Sequence, residues 1–112
     1  NNIFDAFVAE TDGHVIGMAI TYFRYSTWKG KRLYLEDLIV TEKSRGLGAG
    51  QLLFQHCIQF GKESECNGMV WQVLDWNEPA ITFYEKKGAH VMRDWDVVQL
   101  DEKGIENYLK KI

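Results

Sequence analysis

The chain has 112 residues, 46% of them hydrophobic and 26% charged, which is an ordinary globular composition and predicts a single domain over residues 1–112. The net charge of −3 argues against nucleic acid as a partner and favours small cationic molecules, and no apolar run is long enough to span a membrane. Two cysteines suit a reducing compartment, and with no visible signal peptide they predict a cytoplasmic location.

The first 40 residues predict three strands. Residues 4–10 and 15–25 read as strands joined by a turn at 11–13, so they should form a hairpin. A loop at 26–31 leads to a third strand at 32–40. This strand is apolar at both odd and even positions, which predicts that it is covered on both faces.

The rest of the chain predicts helices that alternate with strands. Residues 49–64 read as a helix, 68–74 as a strand, and 78–87 as a second helix with Asn77 as its N-cap and Gly88 as its stop. Residues 89–92 and 96–100 should pair as a final hairpin, after which Asp101 caps a closing helix. This order predicts an α/β fold, an α+β mixed sheet with helices packed against it.

The loop at 45–50 separates the third strand from the first helix and is rich in glycine. A helix N-terminus presents unpaired N–H groups and partial positive charge, and glycines let a phosphate approach the backbone. Arg45 adds a permanent cation. The loop lacks the Lys-Ser/Thr of a P-loop and the spacing of a dinucleotide-binding loop. It therefore predicts a site for the pyrophosphate of a nucleotide or coenzyme.

The pattern Arg45-x-x-Gly48-x-Gly50 resembles the coenzyme A pyrophosphate loop of the GNAT acetyltransferases. Three further segments resemble the family in the same order: 34–40, 76–84 and 86–89. Within the family the chain is similar to the spermidine/spermine (diamine) acetyltransferases, through Tyr22-Phe23, Trp28-x-Gly30-Lys31, 34–37, 76–79 and Trp95. The resemblance runs from about Val8 to the C-terminus. It implies a GNAT-like acyl-CoA N-acyltransferase fold, N-terminally shortened because the family's first strand and two helices are not represented.

The resemblance implies acetyl-CoA as the cofactor. The residues expected to bind it are Leu38, Ile39, Val40, Arg45, Gly46, Leu47, Gly48, Ala49, Gly50, Asn77 and Lys86. The strand residues among them would act through their backbone, because the peptide-like pantetheine can pair with a strand. Asn77 can also serve as an N-cap, and Lys86 as a cation at a helix C-terminus.

Acyl transfer from a thioester to an amine needs a proton acceptor for the amine and a proton for the departing thiolate. The resemblance implies Glu36 as the base and Tyr84 as the acid. A tyrosine is protonated at neutral pH and is able to donate. The alternative for Tyr84 is a core tyrosine with its hydroxyl at the rim.

The expected acceptor-binding residues are Trp28, Glu36, Asp37 and Trp95. Glu36 and Asp37 are adjacent in a strand, so they should point to opposite faces unless the strand is distorted. The alternative is a buried acid compensated by N–H groups or by Arg32. The tryptophans could flank an alkylammonium chain or could simply pack. The resembling diamine enzymes have an acid where this chain has Arg93, and a cation there would repel a polyamine.

We therefore expect an N-acetyltransferase that moves acetyl from acetyl-CoA directly to a primary amine of a small molecule, either a diamine or polyamine or a lysine-like amino acid. The alternative is a non-catalytic acyl-CoA-binding or oligomerisation module. His14, His56 and His90 have no metal-ligand spacing, so no metal is expected. A homodimer is expected, because an exposed sheet edge invites pairing. The resemblance suggests that the segment 96–100 is shared between subunits.

Overall fold

The structure, a computed structural model, describes residues 3–111. Its elements are, in chain order, β1 (Asp5–Thr11), β2 (His14–Ser26), β3 (Gly30–Val40), a 3-10 turn (Glu42–Ser44), α1 (Ala49–Glu63), β4 (Met69–Val70), α2 (Glu78–Lys86) and α3 (Glu102–Lys110). They fall into two compact units, of which the first ends at Gln72 and the second begins at Val73. The assignment of residues 1–112 to one domain stays a prediction.

The first unit is a mixed four-stranded sheet in the order β1-β2-β3-β4, with α1 packed on one face. The predicted hairpin of the first two strands is confirmed, and β2 also pairs antiparallel with β3. The β1–β2 turn places Asp12 and Gly13 at positive φ, of +49° and +78°, a conformation that glycine adopts without steric cost. β3 and β4 pair in parallel, with α1 as the crossover between them.

The core lies between α1 and one face of the sheet. Its buried residues are Ala19, Leu33, Leu35, Leu53 and Cys57. Leu53 and Cys57 are four residues apart, as the predicted apolar stripe of the first helix requires.

A β-bulge interrupts the register of β2 and β3. Thr21 is opposite Leu35 and Ile20 is opposite Asp37, so Glu36 is the extra residue on β3. Because of this insertion, Leu35 and Leu38 both face α1, whereas the two acids between them lie on the opposite face. The bulge is the strand distortion that the sequence leaves open, so the two acids share a face. The expectation that β3 is covered on both faces is wrong for part of its length. Leu33, Tyr34 and Leu35 are buried, but Glu36 and Asp37 are exposed.

The predicted strand at 68–74 is much shorter than expected. Only Met69 and Val70 pair with β3, opposite Leu33 and Tyr34. Trp71 packs with its ring 5.3 Å from that of Phe54 on α1. The Trp71 side chain therefore packs against the core, although the Trp71 backbone is no longer part of the sheet.

The second unit contains two capped helices. The Asn77 side chain accepts a hydrogen bond from the N–H of Ala80 at 3.3 Å, and Asp101 accepts one from the N–H of Gly104 at 2.7 Å. Both predicted caps are confirmed. The predicted final hairpin at 89–92 and 96–100 is wrong, because neither segment is a strand. Alternating apolar residues suggested it, but a hairpin needs a sheet or a helix to cover it, and Val98 is 93% exposed.

Candidate functional site

The glycine-rich loop at 45–50 joins the sheet to α1 in an open conformation. Gly46 and Gly48 both have positive φ, of +88° and +84°, and a Cβ added to either would meet nothing within 4 Å. Arg45 is exposed beside them. The loop thus combines a cation with backbone that no side chain covers.

The N-terminus of α1 is not capped by a side chain. Its N-cap is Gly48, which supplies no side chain to accept a hydrogen bond, and the first turn carries no acidic residue. The first N–H groups of a helix have no partner within the helix, and the helix dipole favours an anion there. Gly50 packs against Val40, since a Cβ at Gly50 would be 3.5 Å from Val40 Cγ2. These features fit a pyrophosphate, as the sequence predicts.

The edge of β3 beyond Tyr34 is open on the side of β4. Pairing with β4 stops at Tyr34, so no described strand continues the ladder next to residues 35–40. Leu38, Ile39 and Val40, the predicted pantetheine contacts, lie on this stretch. A peptide-like chain can add to such an edge through main-chain hydrogen bonds. The geometry therefore suits the backbone role predicted for these residues.

The two predicted acids lie together on the face of the sheet opposite α1. Tyr34 precedes them on the same face and packs against Tyr22, with the ring centroids 5.1 Å apart. Burial raises the pKa of the Tyr34 phenol, and Tyr22 and Glu36 raise it further, whereas Arg24 lowers it. Tyr34 is therefore a neutral hydroxyl next to a carboxylate, and the bulge brings both acids to one surface that could hold a cation.

The remaining predicted residues are distributed over both units. Trp28, in the loop between β2 and β3, is 88% exposed, and Trp95 of the second unit is 72% exposed, so neither is a core tryptophan. In the second unit Asn77 caps α2, Tyr84 is half-buried in it, and Lys86 is in its last turn. All three belong to one helix, as the sequence predicts.

Arg93 has a partner that sequence reasoning missed. Its Nη2 is 3.4 Å from Oε1 of Glu78, in an ion pair between exposed side chains of the second unit. The charge of Arg93 is thus partly balanced, and it is not a lone cation facing an acceptor.

The bulge at Glu36 and a cluster of cations, Arg24, Lys29 and Arg32, were also missed. Neither has a local sequence signal, because both depend on which residues of β2 and β3 stand opposite each other.

Within residues 3–111, no helix has the length and apolar character needed to cross a membrane. The same residues contain no group of three His, Cys, Asp or Glu side chains able to share a metal ion.

Comparison with known proteins shows similarity to acetyltransferases. The chain is 39% identical over 75 residues to thialysine N-epsilon-acetyltransferase of Bos taurus, covering 67% of this chain and 44% of that protein. It is 35% identical over 96 residues to spermidine/spermine N(1)-acetyltransferase-like protein 1 of Homo sapiens, covering 80% of this chain and 14% of that protein. It is 32% identical over 87 residues to L-ornithine N5-acetyltransferase of Arabidopsis thaliana, covering 77% and 38%. The chain spans less than half the length of each of these relatives.

Solved structures share the fold. An integron cassette protein from V. cholerae matches with a TM-score of 0.83 and 24% identity, covering 96% of this chain and 67% of that one. An aminoglycoside N-acetyltransferase in complex with CoA matches with a TM-score of 0.74 and 19% identity, covering 88% and 77%. The sequence itself matches the acetyltransferase (GNAT) family over residues 2–89. The predicted fold is confirmed, and the chain belongs to the GNAT acetyltransferase family.

Proposed function

We propose that this chain is an acetyl-CoA-dependent N-acetyltransferase that acts on a primary amine of a small molecule. The observation that carries the proposal is the uncapped N-terminus of α1 behind the open loop at 45–50, next to the unpaired edge of β3. These two features suit the two chemically different parts of coenzyme A, its pyrophosphate and its pantetheine.

The coenzyme-binding residues follow from that division. Backbone N–H groups of the loop and of the first turn of α1 bind the pyrophosphate, and Arg45 adds charge. The backbone of Leu38, Ile39 and Val40 pairs with the pantetheine. Asn77 and Lys86 are further coenzyme contacts, supported by the family resemblance of their segment.

Bound coenzyme supplies the activated acetyl group, and residues of the chain accept and donate the protons. Glu36 accepts a proton from the acceptor's ammonium, directly or through water, because an amine with its usual pKa of about 10 is protonated at neutral pH. The free amine attacks the thioester carbon, the carbon–sulfur bond breaks, and Tyr84 donates a proton to the departing sulfur. Asp37, with Trp28 and Trp95, holds the cationic acceptor.

The relatives' names divide the acceptors into two classes. The spermidine/spermine-like relative points to polyamines, and the thialysine and ornithine enzymes point to amino acids with an amine at the end of the side chain. Both classes carry an ammonium group that Glu36 and Asp37 attract. We also propose a homodimer. β1 is an edge strand of the sheet, and its unpaired edge could pair with a second subunit. The segment 96–100, which the resemblance suggests is shared between subunits, is not a strand.

The direct test is thiol release from acetyl-CoA across a panel of amines that includes spermidine, cadaverine, lysine and ornithine. We expect release that depends on one of these amines and that falls at least a hundredfold in Glu36→Gln, since general acid–base catalysis typically contributes that much. Glu10→Gln is the matched control, because Glu10 is also an exposed strand carboxylate of the same sheet. Tight CoA binding without turnover on any amine would instead support the acyl-CoA-binding module.

A further inference from the structure

A cavity of about 190 Å³ lies in the first unit at the end of the β2–β3 hairpin. It is lined by Arg24, Tyr25, Ser26, Lys29, Arg32 and Val70. Three of these six residues are cations and none is an acid. A concave surface with one sign of charge concentrates ions of the opposite sign, so the cavity suits an anion.

The positions of Arg24 and Arg32 are expected to destabilise the fold. Arg24 and Arg32 are direct cross-strand partners, and like charges in such positions are destabilising. None of the three cations has an ion pair with a carboxylate within the described residues. A bound anion would remove the repulsion, which gives a physical reason for two arginines at this position.

Arg32 is held in a defined position and keeps an unused donor. A Cβ at Gly68 would be only 2.5 Å from both Nε and Nη2 of Arg32, so the guanidinium lies directly against the Gly68 backbone. Its Nε is buried and has no hydrogen-bond partner among the described residues. Arg32 also lines the cavity, and a guanidinium is well shaped for binding carboxylate.

Arg24 and Arg32 share a sheet face with the two acids of the proposed acceptor site. In β2, Tyr22 and Arg24 are on one face, and in β3 their partners Tyr34 and Arg32 are on the same face. Arg32 and Glu36 are four positions apart, which is roughly 13 Å along a strand. Tyr34 lies between Arg32 and Glu36 in β3, and the Arg24 guanidinium carbon is 5.0 Å from the centre of its ring.

We propose that Arg24, Lys29 and Arg32 form a carboxylate subsite for the acceptor, resting on the acetyltransferase function proposed above. An acceptor whose amine lies at Glu36 and Asp37 would place its far end toward these cations. A polyamine brings an ammonium group there and is repelled, whereas an amino acid with a terminal side-chain amine brings a carboxylate. The preferred acceptor is therefore a lysine-like amino acid.

The experiment compares kcat/KM for L-lysine and L-lysinamide, in which a neutral amide replaces the carboxylate. We expect the wild type to prefer lysine at least tenfold. Arg24→Gln and Arg32→Gln should each lower the lysine-to-lysinamide ratio about tenfold or more, as loss of a charged hydrogen bond predicts. Lys62→Gln, which removes an exposed cation from α1, is the matched control and should leave the ratio unchanged.

A second variant separates position from charge. Gly68→Ala keeps all three cations but displaces the Arg32 guanidinium, so it should lower the same ratio. Because the readout is a ratio, a smaller folded fraction in any variant cancels.

The outcomes distinguish this inference from the proposed function. If the wild type acetylates no amine, the proposed function is wrong and the subsite with it. If it acetylates lysine and lysinamide equally well, only the subsite is wrong. If the arginine variants raise KM for acetyl-CoA and leave the acceptor ratio unchanged, the cavity binds a coenzyme phosphate, and the carboxylate subsite is again overturned.

Discussion

Replacing Gly48 with alanine tests the coenzyme loop, and Gly13→Ala supplies a close control. Both glycines have positive φ, of +84° and +78°, and a Cβ added to either meets nothing within 4 Å. The two variants therefore introduce the same methyl group at nearly the same φ and with the same empty surroundings. They differ in location, since Gly48 is the N-cap of α1 and Gly13 is in the β1–β2 turn.

The stability cost should be small and similar in the two variants. A left-handed conformation costs a non-glycine residue about 1–2 kcal/mol. Alanine also lowers the conformational entropy of the unfolded chain, which stabilises the folded state by about 0.4–1 kcal/mol. The net loss in the free energy of unfolding is thus about 1 kcal/mol, which corresponds to a fall in Tm of about 4–8 °C for a folding unit of roughly 60–100 residues.

The binding cost should appear only at Gly48. The methyl group there occupies space that the pyrophosphate needs, so the Kd for CoA should rise at least tenfold, which corresponds to about 1.4 kcal/mol. Titration calorimetry with CoA gives the Kd, and denaturant unfolding gives the stability of each variant. An unchanged Kd in Gly48→Ala would refute the loop as the pyrophosphate site. An equal rise in Gly13→Ala would show that the effect comes from the fold.

Three further predictions concern single side chains. Tyr84→Phe should lower kcat about a hundredfold with little change in KM, because the hydroxyl acts in the transition state, and near-normal steady-state turnover would contradict its role as the acid. Asn77→Ala and Asp101→Ala should each cost about 1 kcal/mol through loss of an N-cap, but only Asn77→Ala should weaken acetyl-CoA binding measured by calorimetry; equal affinities would limit Asn77 to capping. Burial raises the pKa of the Cys57 thiol, so the folded protein keeps a proton that the unfolded chain loses, and the free energy of unfolding should fall as pH rises above about 8.5. The slope should be smaller in Cys57→Ala, and an identical slope would exclude Cys57 as its source.

Sequence patterns correctly predicted features that depend on residues close together in the chain. Asn77 and Asp101 cap helices through bonds to residues three positions ahead, so the pattern alone predicts them. The loop at 45–50 is similar, because its glycines, its arginine and the start of α1 are consecutive in the chain. The resemblance to the GNAT family depends on the same kind of contiguous motif and was predicted correctly.

The final hairpin shows where local pattern misleads. Val91, Val97 and Val98 have high strand propensity, but strands form only where a neighbour accepts their hydrogen bonds and covers their side chains. The described sheet ends at β4, and 89–92 and 96–100 remain irregular. The same reason shortens the strand expected at 68–74 to Met69 and Val70.

By itself the sequence determined which chemical groups are present: a glycine-rich loop with an arginine, a pair of adjacent acids, a tyrosine on a helix, and the family to which they belong. Only the tertiary structure decided which of them share a surface. One inserted residue, Glu36, changes the register of β3, so both acids lie on the face opposite α1. The same register places Arg24 opposite Arg32 on that face. Register depends on hydrogen bonds between residues far apart in the chain, and no local pattern of residues records it.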